Sequence, residues 1–197
     1  MLTEVANRLA SLRAEAQHLG WVTESSTDEE LPLTIDARLR ETLKDRGVRD
    51  DLIEAVLYVP YQKIMSVLKR AEALSSLLND VHEQSVAAAA TRVRRILQAT
   101  PDSSSTAPDR AALTVGEERI LLAFVGTISP QIEQAIKAGD YTDALDTLDA
   151  LSEPIHRLLD KHPDLPEDES ARVARLALLA QADRLYLRLA DFSCLEI

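Results

Sequence analysis

The sequence predicts an all-α protein folded as an antiparallel helical bundle, on three observations. Apolar residues recur at intervals of three and four along most of the chain, the spacing of one helix face. Glycine occurs only five times in 197 residues, while alanine and leucine are abundant. The breaks between periodic segments are mostly short, which brings consecutive helices back alongside each other. With 46% apolar residues at this length, the chain can bury a substantial core.

Leu2 to Leu19 reads as an amphipathic helix with Val5, Leu9, Leu12 and Ala16 on one stripe. The polar run Thr23 to Glu30 follows as a hinge. Residues 1–30 are therefore read as an N-terminal helical extension and 31–197 as the main domain. Ile35, Leu39 and Leu43 mark the next helix, which Gly47 ends in a left-handed cap. A short helix from Asp51 to Tyr58 stops before Pro60, which disfavours helix at Val59 and opens the next segment, Tyr61 to Leu78. His82 to Gln98 carries four consecutive alanines and then Arg92, Arg94 and Arg95. Pro101 to Asp109 reads as a Ser/Pro loop inside the domain.

Beyond that loop, Thr114 to Phe124 and Pro130 to Ala138 read as two helices, with a restart at Ser129-Pro130. Ala138-Gly139-Asp140 is a tight turn in which Gly139 caps one helix and Asp140 the next. Tyr141 to Leu151 and Pro154 to Lys161 are further helices. His162 to Pro166 is a loop before a long last helix, Glu167 to Phe192. No repeat at a period of 30–45 residues is found, so a solenoid is not expected.

The formal net charge is −11, from 22 basic and 33 acidic residues. It is unevenly spread. Arg38 to Arg95 carries a net +3 and the remainder −14, so a local phosphate-facing surface is compatible with an acidic whole. No run of 18 or more apolar residues occurs, and no membrane partner is expected. Glu4 and Glu15 interrupt any signal-like N-terminus, and the single cysteine, Cys194, fits a cytoplasmic location.

The search for self-contained chemistry returns nothing. The glycines are too dispersed for a phosphate loop or a dinucleotide fingerprint. No two of His18, His82, His156 and His162 have metal-ligand spacing, so no metal site is read. His156 and Asp160 are four apart and read as a surface pair, and Cys194 as a small packed hydrophobe. The aspartates from Asp140 to Asp149 lack the pattern of a calcium loop. No catalytic residue is assigned.

Several segments carry more specific information. Arg46-Gly47-Val48-Arg49-Asp50-Asp51-Leu52-Ile53-Glu54-Ala55-Val56-Leu57 resembles the "RGYRYDVIDAVL" run of the bacterial glycyl-tRNA synthetase β subunit. Arg70-Ala71 with Ala73-Leu74 is similar to its "xRAxAL", and Arg92 to Leu97 to its "KRxxNIL". Asp140-Tyr141, Ala144-Leu145 and Glu153-Pro154-Ile155 follow its "xDYxxALxxLxxLxxPV". Arg172 to Leu179 and Ala190-Asp191-Phe192-Ser193 match "RxNRLALL" and "VADFS". The series runs in the family's order from about Leu31 onward. Arg95 and Ala174 stand where the family has Asn, His162 to Pro166 replaces an apolar segment, and Leu158-Leu159 replaces an aromatic pair.

The resemblance implies the class I-type (DALR) anticodon-binding helical domain, akin to that of arginyl-tRNA synthetase, from the C-terminal region of a longer β subunit. It implies a part in glycine–tRNA ligase, an ATP-dependent aminoacyl-tRNA synthetase whose catalytic α subunit uses ATP and Mg. No cofactor is expected in this segment. The implied partners are tRNA (glycine isoacceptors) and, through the full-length β subunit, the α subunit. Candidate phosphate contacts are Arg46, Arg49, Lys69, Arg70, Arg92 and Arg95, each of which could instead pair with a carboxylate on a neighbouring helix. Tyr58 and Tyr61 flank Pro60 and are candidate base-stacking residues, with core packing as the alternative. Arg172 and Arg175 lie in an apolar helix and read as buried or half-buried ion-pair partners rather than RNA contacts. A helical adaptor that binds another protein is the competing function.

Overall fold

Some helix ends follow from local chemistry and others from contacts made far along the chain. In the computed structural model, which describes residues 2–22, 27–61, 63–77, 84–100 and 107–196, the described residues form nine α-helices and no strand. They are α1 Leu2–His18, α2 Leu31–Asp45, α3 Asp50–Tyr58, α4 Ile64–Leu77, α5 Gln84–Ala99, α6 Gly116–Ala138, α7 Tyr141–Asp149, α8 Ser152–Lys161 and α9 Glu169–Tyr186. A 3-10 turn, Phe192–Cys194, follows α9. Residues 23–26 of the polar hinge and 101–106 of the Ser/Pro loop lie outside the described residues.

Gly47 and Gly139 adopt φ of +78° and +74°, the left-handed region where a side chain is strained. After Gly139, the Asp140 carboxylate accepts from the Asp143 backbone N–H at 3.1 Å and starts α7. The two caps turn the chain back on itself within two residues and lay α7 along α6. A Gly139→Ala substitution meets only Lys69 Nζ, at 3.6 Å, so its cost is conformational. It is expected to destabilise by about 1 kcal/mol, read as a lower urea midpoint at unchanged slope.

Two expectations are corrected. Ser129-Pro130 does not restart a helix: α6 runs through Pro130 without a break. The carbonyl that loses its donor to the proline ring is that of Gly126. Both residues are exposed, so water can serve that carbonyl, and Gly126 offers no side chain to crowd the ring. The last helix ends at Tyr186 rather than Phe192. The chain leaves the helix so that the Asp191 N–H reaches the Ala55 carbonyl at 2.9 Å, one of the unpaired C-terminal carbonyls of α3. Further bonds stitch this tail down: Thr91 Oγ1 to the Phe192 carbonyl (3.2 Å), and the Glu196 N–H to Asp51 (2.9 Å).

One hydrophobic cluster unites the helices. Tyr186 and Phe192 are fully buried and meet edge to face at 5.5 Å, while Ile35, Leu39, Leu43, Ile64 and Leu74 line α2 and α4 within it. Leu12 and Ala16 of α1 belong to the same cluster. Glu15 of α1 also accepts from the backbone N–H groups of Ile64 (2.7 Å) and Met65 (3.3 Å), capping α4 from a distant part of the chain. Behind the loop at 162–166, Arg175 and Glu118 form a buried ion pair, Nε to Oε1 at 2.6 Å. The second Glu118 oxygen accepts from the Val115 N–H at 3.1 Å, and Arg175 Nη1 donates to the Asp164 carbonyl at 2.8 Å. Arg172 pairs with the exposed Glu169 one turn away, so of Arg172 and Arg175 only Arg175 is a buried ion-pair partner.

Candidate nucleic-acid interface

The six candidate cations do not share one face. Arg46 sits at the C-terminal end of α2, where its guanidinium pairs with Glu72 of α4 at 2.7 Å. Arg49 precedes α3 and is held by Asp51, with Nε to Oδ1 at 3.0 Å, and by the Glu196 carbonyl. The hydrogen bond that Arg49 donates to Asp51 raises the Arg49 pKa, and that bond together with those from the Glu196 and Leu52 N–H groups holds Asp51 below the ordinary carboxylate range. Arg92 of α5 is half-buried against α8, between Asp160 (2.8 Å) and His156 Nδ1 (3.1 Å). That contact also revises the expected His156–Asp160 pair, since both residues engage Arg92. Arg95 is exposed and makes no ion pair among the described residues.

Lys69 and Arg70 are adjacent on α4 and differ entirely. Lys69 is exposed, with no ion pair among the described residues, whereas Arg70 is 3% exposed. Arg70 Nη1 donates to the Leu189 carbonyl at 3.0 Å, and burial pulls its pKa down to about 10, so it stays charged at neutral pH. Of the two tyrosines, Tyr58 is 61% exposed, and the Arg94 guanidinium lies 6.0 Å from its ring centre. Tyr61 is 8% exposed, donates to Asp36 at 2.5 Å, and is faced by Arg8 at 5.9 Å. Burial drives its phenol pKa upward.

Lys69, Arg70 and Tyr61 come together in one cleft of about 750 Å³ between α4, the α6–α7 turn and the segment after α9. Sequence reasoning missed three further cations on its walls: Lys63, Lys137 and Arg188. Among the described residues, the cleft lining contains five basic residues and no carboxylate. Tyr141, whose Asp140-Tyr141 pair carries part of the family resemblance, also lines it. Close by, Glu133 pairs with Lys137 at 3.0 Å and is held below its usual pKa by that hydrogen bond and by the charges of Lys137 and Arg188. Lys63 and Arg188 make no ion pair among the described residues, and no cluster of three metal-ligating side chains occurs among them. Positive charges held with few partners create a potential that attracts a polyanion.

The profile of the DALR anticodon-binding domain matches residues 86–190, from α5 to the segment after α9. The chain belongs to that family. This DALR chain is 34% identical over 156 residues to a glycine–tRNA ligase β subunit of Methylobacillus flagellatus, covering 79% of the chain and 22% of that relative. It is 32% identical over 164 residues to the β subunit of Acinetobacter baumannii (82% and 23%). Against the Vibrio vulnificus β subunit it is 28% identical over 195 residues (99% and 28%). The chain thus spans about a quarter of the length of these relatives. The cleft straddles the edge of the DALR match: Lys137, Tyr141 and Arg188 lie inside it, Lys63, Lys69 and Arg70 before it. No helix among the described residues is long and apolar enough to cross a membrane.

Proposed function

We propose that the chain is the tRNA-binding C-terminal part of a glycine–tRNA ligase β subunit, contributing to tRNA recognition for glycylation. The observation that carries this reading is the DALR anticodon-binding match over 86–190, together with β-subunit relatives that extend over α1 to α4 as well. The cleft supplies a physical means, with Lys63, Lys69 and Arg188 as phosphate contacts beside Arg70, while Lys137 on the same wall is already paired with Glu133. The exposed Arg95 and Tyr58 are secondary candidates for a phosphate contact and a stacked base. Arg46, Arg49 and Arg92 are assigned to holding the fold, because each already has a carboxylate partner.

In this reading the α subunit is the catalytic partner, ATP and Mg act there, and the assembly works in the cytoplasm. The adaptor alternative has no observation of its own. Fluorescence titration of the chain with a glycine tRNA, and with an unrelated tRNA as control, tests the reading. Saturable binding that favours the glycine tRNA is expected. Equal affinity for both, or no binding at about 50 mM salt, where phosphate contacts are strongest, contradicts it.

A further inference from the structure

We infer that the cleft contains a seat for a single phosphate group, with the inner edge of Arg70 as its fork. Arg70 uses Nη1 on the Leu189 carbonyl, while its Nε and Nη2 are buried without a hydrogen-bond partner among the described residues. Those two nitrogens lie side by side on one edge of the planar guanidinium, the edge that grips two oxygens of an oxyanion at once. A buried charged group left with two unused donors is costly, so the structure keeps this fork at a standing penalty that a bound anion relieves.

The surroundings select the anion. Lys63, Lys69, Lys137 and Arg188 stand around the same cleft, and its lining has no carboxylate among the described residues. With Lys137 balanced by Glu133, the four remaining positive charges still exceed what a single peptide carboxylate balances and suit a phosphate, above all one within a polyanion. Tyr141 lines the cleft too. Gly139 closes the wall, and its φ of +74° lets the chain turn tightly there. Because the fork is buried, seating the phosphate requires the rim side chains to re-orient around it. For exposed lysine and arginine side chains such motion is fast.

The inference rests on the tRNA reading only for the phosphate's owner, a backbone phosphodiester of bound tRNA. Thermal unfolding of the full chain is followed in sodium phosphate and in sodium chloride at equal ionic strength. Titration with glycine tRNA is run in parallel. The parent is expected to melt higher in phosphate, and Arg70→Lys, which keeps the charge and loses the fork, is expected to abolish that rise. The same variant is expected to bind tRNA about 10-fold to 100-fold more weakly, the loss of one charge-assisted bidentate contact. If Arg70→Lys does not fold, the exposed pair Lys69→Ala/Arg188→Ala takes its place, with the same expected loss of the phosphate effect. Phosphate that stabilises the parent no better than chloride overturns the seat, as do variants that respond like the parent. Tight tRNA binding without any phosphate effect overturns the seat and leaves the tRNA reading standing. A phosphate effect lost in the variants, in a parent that binds no tRNA, supports a seat for free phosphate or a phosphomonoester and overturns the tRNA reading.

Discussion

Replacing Glu118 by Ala is expected to destabilise the chain by about 3–5 kcal/mol, the usual cost of removing one partner of a buried ion pair. Glu118 is fully buried and Arg175 is 4% exposed, so solvent cannot take over the orphaned guanidinium. The same carboxylate accepts from the Val115 N–H at the start of α6, and its loss frees that helix end as well. For a domain whose total stability is of order 5–15 kcal/mol, this is a large share. The urea midpoint of the single variant should therefore fall steeply. The double variant Glu118→Leu/Arg175→Met should recover much of the loss, because two matched apolar side chains leave no buried charge. A single variant within about 0.5 kcal/mol of the parent would show that the pair is not held dry.

The second large effect concerns binding. Reversing charge at Lys69 and Arg188 together (Lys69→Glu/Arg188→Glu) is expected to cost tRNA affinity about 3 kcal/mol, or roughly 100-fold. Both side chains are exposed and have no ion pair among the described residues. Helicity and urea midpoint should then stay close to the parent's. The charge-matched double reversal Arg46→Glu/Arg49→Glu breaks the pairs with Glu72 and Asp51 and should leave tRNA affinity nearly unchanged. Measuring both variants against one tRNA by fluorescence titration separates a binding face from a general change of net charge.

What the sequence makes legible is whatever depends on neighbours along the chain. Gly47, Gly139 and Asp140 declare their caps because the left-handed turn and the carboxylate bond are local chemistry. The apolar stripes declare the helices. Pro130 misleads because its cost depends on whether the Gly126 carbonyl faces solvent, which is a property of the packed helix. The end of α9 is hidden for a similar reason: Ala55, far back in the chain, supplies the acceptor that draws Asp191 out of the helix.

The candidate interface is legible only in part. Six cations can be picked from the sequence, but the sequence does not reveal which of them find carboxylates. The partners Glu72 and Asp160 arrive from other helices, and they occupy Arg46 and Arg92. Lys69 and Arg70 meet Lys137 and Arg188 only because α4, the α6–α7 turn and the C-terminal segment converge. The turn itself offered a signal, since Gly139-Asp140-Tyr141 already stood out and Lys137 lies two residues before it. Arg188 offered none, because its position follows from where α9 stops.

The salt dependence of tRNA binding tests most directly whether the cleft is the binding face. Each phosphate contact contributes about −0.7 to −0.9 to the slope of log K against log salt. Lys69→Ala/Arg188→Ala is expected to weaken binding and flatten that slope by about 1.6, two contacts' worth. Arg92→Ala/Arg95→Ala removes one cation already paired with Asp160 and one with no ion pair among the described residues, and should flatten the slope by no more than about 0.8. The reverse order, with the cleft variant keeping the parent's slope and the α5 variant losing two contacts, would contradict the account and move the tRNA to the face of α5.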